Sequence, residues 1–421
     1  MKHVILGAGP AGVIAAETLR RARPNDDITL VGDEAEAPYS RMAIPYLLMG
    51  NVGEEGTHLR HGAGHFDKLK INLKRGVLAK SVDGQAKTVA LSDGSSLAYD
   101  RLLIATGSTP SRPPIPGVQS NGVHTCWTLA DARAIMKLAS PGARVLQMGA
   151  GFIGCIIMEA LAARGVKLTV VEMGDRMVPR MMGPTAGTMI KQWCENKGVA
   201  VHTGARVEAI EGGSPLRVRL SNGQTLDAEL VINATGVKPN IGFLENSGVR
   251  CQTGVLTDAF LQTSVPGIYA AGDCAEAFDK FTGKTVVSAI QPNAADQARV
   301  AALNMVGQVT SLRGVTQINV LDTLGLVSTS FGDWEGVVGG QHVELTDTRA
   351  SRHVSLQFDQ GRLVGCNSVG WTEHIGAMRG LVEGQVPLGE WQARLMADPT
   401  KLMDAYLARS QGQAERALVK A

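Results

Sequence analysis

Val4-Ile5-Leu6-Gly7-Ala8-Gly9-Pro10-Ala11-Gly12 opens the chain with an apolar strand that runs straight into a GxGxxG turn. Each glycine has a mechanical task. Gly7 permits the sharp exit from the strand, and Gly9 has no Cβ to hold a pyrophosphate away from the backbone. Gly12 lets the next helix, Val13 to Arg20, lie close on the sheet. The helix start, entered through Pro10 and Ala11, offers unpaired N–H groups and a positive dipole end to an anion. A second apolar run, Ile28-Thr29-Leu30-Val31, leads to Asp33 and Glu34. These carboxylates fall about 25 residues after the first glycine, near the spacing expected of a group that accepts a bond from a ribose 2′-hydroxyl. Strand, turn, helix, strand and acid together read as a dinucleotide site.

The pattern then recurs. Arg144-Val145-Leu146-Gln147-Met148 enters Gly149-Ala150-Gly151-Phe152-Ile153-Gly154, a helix runs to about Arg164, and the strand Val166 to Val171 ends at Glu172. Gly76 to Tyr99 reads as a small antiparallel meander, marked by the hairpin signals Asp83-Gly84 and Asp93-Gly94. After it the strand Arg101 to Ile104 closes on Ala105-Thr106-Gly107-Ser108-Thr109-Pro110, echoed later by Ala234-Thr235-Gly236-Val237-Lys238-Pro239. So many parts repeated in one order indicate an internal duplication. Gly267-Ile268-Tyr269-Ala270-Ala271-Gly272-Asp273 is a further strand ending in glycine and acid, and a helix from about Ala294 to Asn304 follows it. The remaining chain carries strands around Val315 to Val320, His353 to Phe358 and Leu363 to Val369. It ends in helices, with apolar (i, i+4) pairs at Trp391 with Leu395 and Leu402 with Tyr406 that suit core or subunit contacts.

Composition narrows the function. A chain of 421 residues exceeds what one core sustains, so two or three domains are expected. Its 41 basic and 39 acidic residues leave a net charge of +2 without like-charge blocks, and only 4% of residues are aromatic. Neither feature suits nucleic acid or an anionic membrane. No apolar run reaches transmembrane length, and a cytoplasmic location is expected. Cys126, Cys155, Cys194, Cys251, Cys274 and Cys366 are scattered, without CxxC, CxxxxC or metal-ligand spacing. Reduced, mostly buried thiols and no metal site are the expectation.

Five ordered motifs, Gly7 to Gly12, Ala105 to Pro110, Gly149 to Gly154, Ala234 to Asn240 and Gly267 to Asp273, make the chain resemble the flavoproteins with two dinucleotide domains. This pyridine nucleotide-disulfide oxidoreductase superfamily includes glutathione reductase, coenzyme A disulfide reductase, NADH oxidase, and rubredoxin and ferredoxin reductases. The resemblance implies an α/β fold with two Rossmann-like domains, for FAD and NAD(H), and a C-terminal α+β interface domain. The FAD domain is placed at 1–114 and 239–312, the NAD(H) domain at 115–238, and the interface or dimerisation domain at 313–421. It further implies that Gly7, Gly9, Pro10, Ala11, Gly12, Ala105, Thr106, Gly107, Gly272 and Asp273 serve FAD, the last through its ribityl chain. Asp33 or Glu34 would take the adenosine ribose, and Arg41, in Pro38-Tyr39-Ser40-Arg41, would approach the pyrophosphate. Gly149, Gly151, Phe152, Ile153, Gly154, Glu172 and Gly236 would serve NAD(H). Glu172 repels a 2′-phosphate and so favours NADH, while Arg176 nearby works against that preference.

Departures from the family speak to the chemistry. Coenzyme A disulfide reductases and NADH oxidases place a redox cysteine where Met42 stands, and a thioether forms neither thiolate nor mixed disulfide. Ferredoxin reductases carry a lysine at the place of Tyr46, and most members carry a glutamate at the place of Ile156. Losing one charge would strand the other, at about 3–5 kcal/mol, whereas losing both is self-consistent. Tyr46 is left as the polar candidate at the flavin edge. The leading expectation is an NADH-dependent FAD reductase that hands electrons to a ferredoxin, a rubredoxin or a partner subunit, as a homodimer. The alternatives are a slow-turnover, redox-responsive protein resembling apoptosis-inducing factor and a sulfide:quinone-type enzyme using Cys155 and Cys366.

Overall fold

The computed structural model describes residues 1–62, 64–279, 283–315 and 318–409. They form two compact units, Met1–Pro110 with Val237–Thr316 and Ser111–Gly236 with Gln317–Ala421.

In the first unit a five-stranded parallel sheet runs Ile268–Ala270, Arg101–Ile104, Lys2–Leu6, Asp27–Val31, Ile71–Lys74. Lys2–Leu6 is central, and from it the chain winds outward to both sides. The turn at Gly7 therefore sits at the carboxyl end of the strand where the winding reverses, which is where open α/β sheets bind ligands. The Val4-Ile5-Leu6 stretch of the central strand is apolar because the strand is covered on both faces there. Ile5 joins a core with Val13, Leu19, Leu103 and Ala298. Val4 and Leu6 point the other way, into a core with Val89, Leu102 and Ile104. One face is covered by the helices Pro10–Ala22 and Gln291–Met305, and the other by the antiparallel meander Ala79–Asp83, Thr88–Leu91, Ser96–Ala98. Ala11, Ala15 and Ala16 on the first helix and Ala294, Ala298 and Ala301 on the second are all buried, so small side chains let the two pack closely. The first helix begins at Pro10 rather than Val13, since proline's fixed φ and missing N–H suit an opening turn.

The second unit repeats the plan. Its parallel sheet runs Ala200–Thr203, Lys167–Glu172, Arg144–Met148, Leu230–Asn233, Val123–His124, with the helix Phe152–Ala163 following the central strand. A second meander, Val207–Glu211, Leu216–Leu220, Thr225–Ala228, shares a core with Leu146, Met148 and Val231.

Of residues 313–421, expected as an interface domain, the described ones from Ile318 to Arg409 group with 111–236. The reason is direct bonding: the Trp193 indole donates to Leu324 O at 3.1 Å, and the Asn367 amide donates to Met181 O and accepts from Gly183 N, both at 2.9 Å. The C-terminal part is a five-stranded antiparallel sheet, Ile318–Thr323, Leu326–Gly332, Arg362–Val369, Arg352–Asp359, Gln341–Asp347, with the helix Ile375–Glu383 packed on it. Two of its strands escaped the sequence reading. Leu326–Gly332 buries Ser328, Thr329 and Ser330 where alternation would demand apolar residues, and Gln341–Asp347 is an exposed, mostly polar edge. The strand expected at Val315 to Val320 is described from Ile318, with Thr316 and Gln317 outside the described residues. Leu395 and Leu402 are buried, and the Tyr406 ring lies against Gly380. Among the described residues no helix is long and apolar enough to cross a membrane.

Candidate functional site

The two glycine turns share a geometry. Gly7 and Gly149 have φ of +113° and +97°, and their amides donate to Val31 O and Val171 O at 2.7 and 2.8 Å. A Cβ on Gly7 would stand 2.0 Å from Ala105 O, and one on Gly12 would stand 1.8 Å from Gly7 O. In the second copy a Cβ on Gly154 would lie 2.5 Å from Gly149 O. The chain's own backbone thus demands the outer glycines. The middle glycines differ: a Cβ on Gly9 or Gly151 would meet nothing within 4 Å. Both are helix N-caps without a side-chain capping bond, so the amides beyond them, including Ala11 and Gly12 or Phe152 and Ile153, face an open cradle. An anion approaching the backbone is what such a cradle fits.

Around the first turn the structure brings together most of the sequence-derived residues. Asp273 accepts from the Ser108 hydroxyl at 3.1 Å, and burial pushes its carboxyl up, against the opposing effects of Ser108 and the Arg41 charge. Such a half-buried carboxylate suits ribityl hydroxyl donors. Thr106 is clamped by Asn240, whose Nδ2 donates to Thr106 O at 2.9 Å while the Thr106 hydroxyl donates to Asn240 O at 2.8 Å. Gly272 N donates to Gln297 Oε1 at 2.7 Å, and among the described residues the buried Gln297 Nε2 has no partner. These features fit FAD.

The acidic station is less regular than the spacing suggested. Leu6 pairs with Val31 as Met148 pairs with Val171, so Gly32 occupies the place of Glu172. Asp33 is exposed, and Glu34 accepts from Tyr39 Oη at 2.7 Å and from Arg41 at 2.9 Å. Arg41, expected near a pyrophosphate, is thus ion-paired to Glu34. Met42 and Tyr46, on the segment from Arg41 to Leu48, are 48% and 53% exposed.

In the second copy Glu172 accepts from Ala150 N at 2.7 Å and from Gly174 N at 2.8 Å, holding the glycine turn to the acidic strand end. Arg176, the one base that argued for a 2′-phosphate, is committed to Met182 O, Pro179 O and Asp175. Gly236 has φ of +114° at the second Ala-Thr-Gly. Ile156 is half-buried, and burial, with Asp322 adding to it, pushes the Glu159 carboxyl up. Sequence reasoning missed Ser108, Gln297 and above all Gln147, whose presence in the apolar run Arg144 to Met148 was the available signal.

The thiols are chemically quiet. Cys155 and Cys366 are completely buried, and burial pushes both thiols up. Burial likewise pushes Cys126 and Cys194 up to about 12, and raises Cys251 and Cys274. All are therefore poor thiolate sources at neutral pH.

Residues 1–298 match the pyridine nucleotide-disulphide oxidoreductase family. The chain is 32% identical over 402 residues to the epsilon subunit of NADH-dependent phenylglyoxylate dehydrogenase of Aromatoleum evansii, covering 94% of this chain and 95% of that one. It is 30% identical over 405 residues to an NADH oxidase of Methanocaldococcus jannaschii, covering 90% of each. Among solved structures, the covalent complex of putidaredoxin reductase with putidaredoxin superposes with a TM-score of 0.89 at 25% identity, over 97% of this chain and 99% of that one.

Two outcomes follow from the turns. Gly9→Ala should leave the melting temperature of the apoprotein near wild type yet remove most bound FAD, because the added methyl meets no protein atom. A Gly9→Ala protein that retains full FAD would mean that the cradle is not the FAD phosphate site. Wild type should prefer NADH to NADPH, and Glu172→Ala should lower kcat/KM for NADH by about 10- to 100-fold, the worth of charge-assisted hydrogen bonds. Equal wild-type efficiency with NADPH would contradict this.

Proposed function

The chain belongs to the pyridine nucleotide-disulphide oxidoreductase family and is an NADH-dependent flavin oxidoreductase of the ferredoxin/rubredoxin reductase type, and from this we propose that it relays electrons between NADH and a separate redox protein or partner subunit. In this reading FAD is held by the first glycine turn and NAD(H) by the second. The observation that carries it is the pair of open cradles at Gly9 and Gly151, each at a helix start in its own copy of the fold.

When bound, FAD supplies the chemistry that couples a two-electron hydride donor to a one-electron acceptor. The chain's part is binding and orientation. The turn shaped by Gly7 would receive the FAD pyrophosphate at Gly9 and at the amides of Ala11 and Gly12, with Asp273 on the ribityl chain and Ala105, Thr106 and Gly107, fixed by Asn240, beside it. The amides beyond Gly151 would receive the pyrophosphate of NAD(H), with Glu172 holding that turn and disfavouring a 2′-phosphate. No side chain need gain or lose a proton, so none is assigned as acid or base, and Tyr46 is the polar group offered for the flavin edge.

An external acceptor is favoured because the chain carries no reactive thiol of its own to receive the electrons. Met42 occupies the place of the family's redox cysteine, and the six cysteines are dispersed and raised toward the protonated thiol. Two of the reported names point the same way. One is a subunit of a larger NADH-dependent enzyme, and one reductase is solved together with the redox protein it is named for. A ferredoxin, a rubredoxin or a comparable subunit is the proposed acceptor.

With no thiol couple beside the flavin, anaerobic dithionite titration should take up two electrons per FAD, without a long-wavelength thiolate-to-flavin band. Alkylating the accessible cysteines should leave NADH:ferricyanide activity largely intact. Four-electron uptake, or activity lost in step with modification of Cys155 or Cys366, would overturn the proposal.

A further inference from the structure

The two copies of the glycine turn are supported differently, and the difference lies in one buried side chain. Gln147 sits in the central strand Arg144–Met148, 0% exposed, with Val170 and Ile232 beside it in register. Its Nε2 donates to Gly149 O and to Gly154 O, both at 2.9 Å. One amide therefore ties the first glycine of the turn to the third, across the opening of the helix Phe152–Ala163. The orientation of the amide is fixed by chemistry, since a flipped side chain would set its oxygen against two carbonyl oxygens. Among the described residues Oε1 is buried without a partner, a cost to the fold that an apolar residue would avoid.

The first copy has no such tie. Ile5 occupies the equivalent position, between Leu30 and Leu103 in register, and the turn there closes by direct contact. A Cβ on Gly12 would come within 1.8 Å of Gly7 O, against 2.5 Å for Gly154 and Gly149 O. The second turn stands farther from its helix, and the Gln147 amide bridges the gap. An apolar residue thus satisfies the same slot of the same fold, so folding alone does not call for the amide.

We propose that Gln147 is a positioning residue for NAD(H): by holding Gly149 O and Gly154 O together it fixes the amides of the second turn in the arrangement that receives the pyrophosphate. The proposal rests on the assignment of NAD(H) to the second turn. It concerns affinity rather than the redox step, because the amide lies under the turn and not in the open cradle at Gly151.

The test is calorimetric titration of NAD+ and of ADP-ribose into FAD-loaded wild type, Gln147→Ile and Gln147→Met, with melting temperature and FAD content measured alongside. Gln147→Ile installs the first copy's residue, and Gln147→Met keeps the length of the side chain. Both variants should keep their FAD and melt at or above wild type, while the dissociation constants of both ligands rise by about tenfold, because the turn must then be ordered when the nucleotide binds. Unchanged affinity in both variants, with or without a lower melting temperature, would overturn the proposal and make Gln147 a packing residue. Failure of both variants to fold would overturn it as well, by making the amide a requirement of the fold. A wild type that binds neither ligand would instead remove the assignment of NAD(H) to the second turn, and the proposal with it.

Discussion

The structure depends on a close approach between the carbonyl of one glycine and the Cα of another five residues on, Gly7 O to Gly12 and Gly149 O to Gly154. No side chain fits between them, so each helix is drawn against the end of its central strand. Everything else in each copy follows from that approach. It brings the helix start to the sheet's switch point and leaves the helix's first turn without a side-chain cap among the described residues, beside the space where a Cβ on Gly9 or Gly151 would touch nothing. The same glycines that make the turn possible thus create the anion cradle.

Duplication then allowed the two copies to diverge beneath a shared backbone. The first sets beside its turn the half-buried Asp273 and Gln297, whose Nε2 has no partner among the described residues, an arrangement suited to a cofactor that stays. The second braces its turn from within, through Glu172 on Ala150 N and Gln147 on Gly149 O, and leaves the cradle itself clear. A braced but open site suits a nucleotide that must arrive and leave, since preorganisation lowers the ordering cost of each binding event.

Much of this was legible in the sequence because the relevant constraints are local. Gly7, Gly9 and Gly12 report their own backbone, and the repeat of strand, turn, helix and acid reports the sheet. What could not be read was non-local. Whether Asp33, Glu34 or Gly32 answers to Glu172 depends on strand register, which a residue count from the first glycine misses by one or two positions. Arg41 carried a pyrophosphate expectation from its loop motif, but its pairing with Glu34 is visible only once the loop is folded. Leu326–Gly332 hid because Ser328, Thr329 and Ser330 are buried in the C-terminal sheet, where the strand is held by backbone pairing with its two neighbours rather than by apolar alternation. Gln147 was plainly present in an apolar run, yet its meaning comes from two carbonyls, one of them seven residues away.

Hydrogen exchange tests the central claim most directly, because both cradles are made of backbone amides. Adding NAD+ to the FAD-loaded protein should slow exchange in residues 150–154 and leave residues 8–12, already covered by FAD, unchanged. Slowing at 8–12, or none at 150–154, would contradict the division of the two turns between FAD and NAD(H).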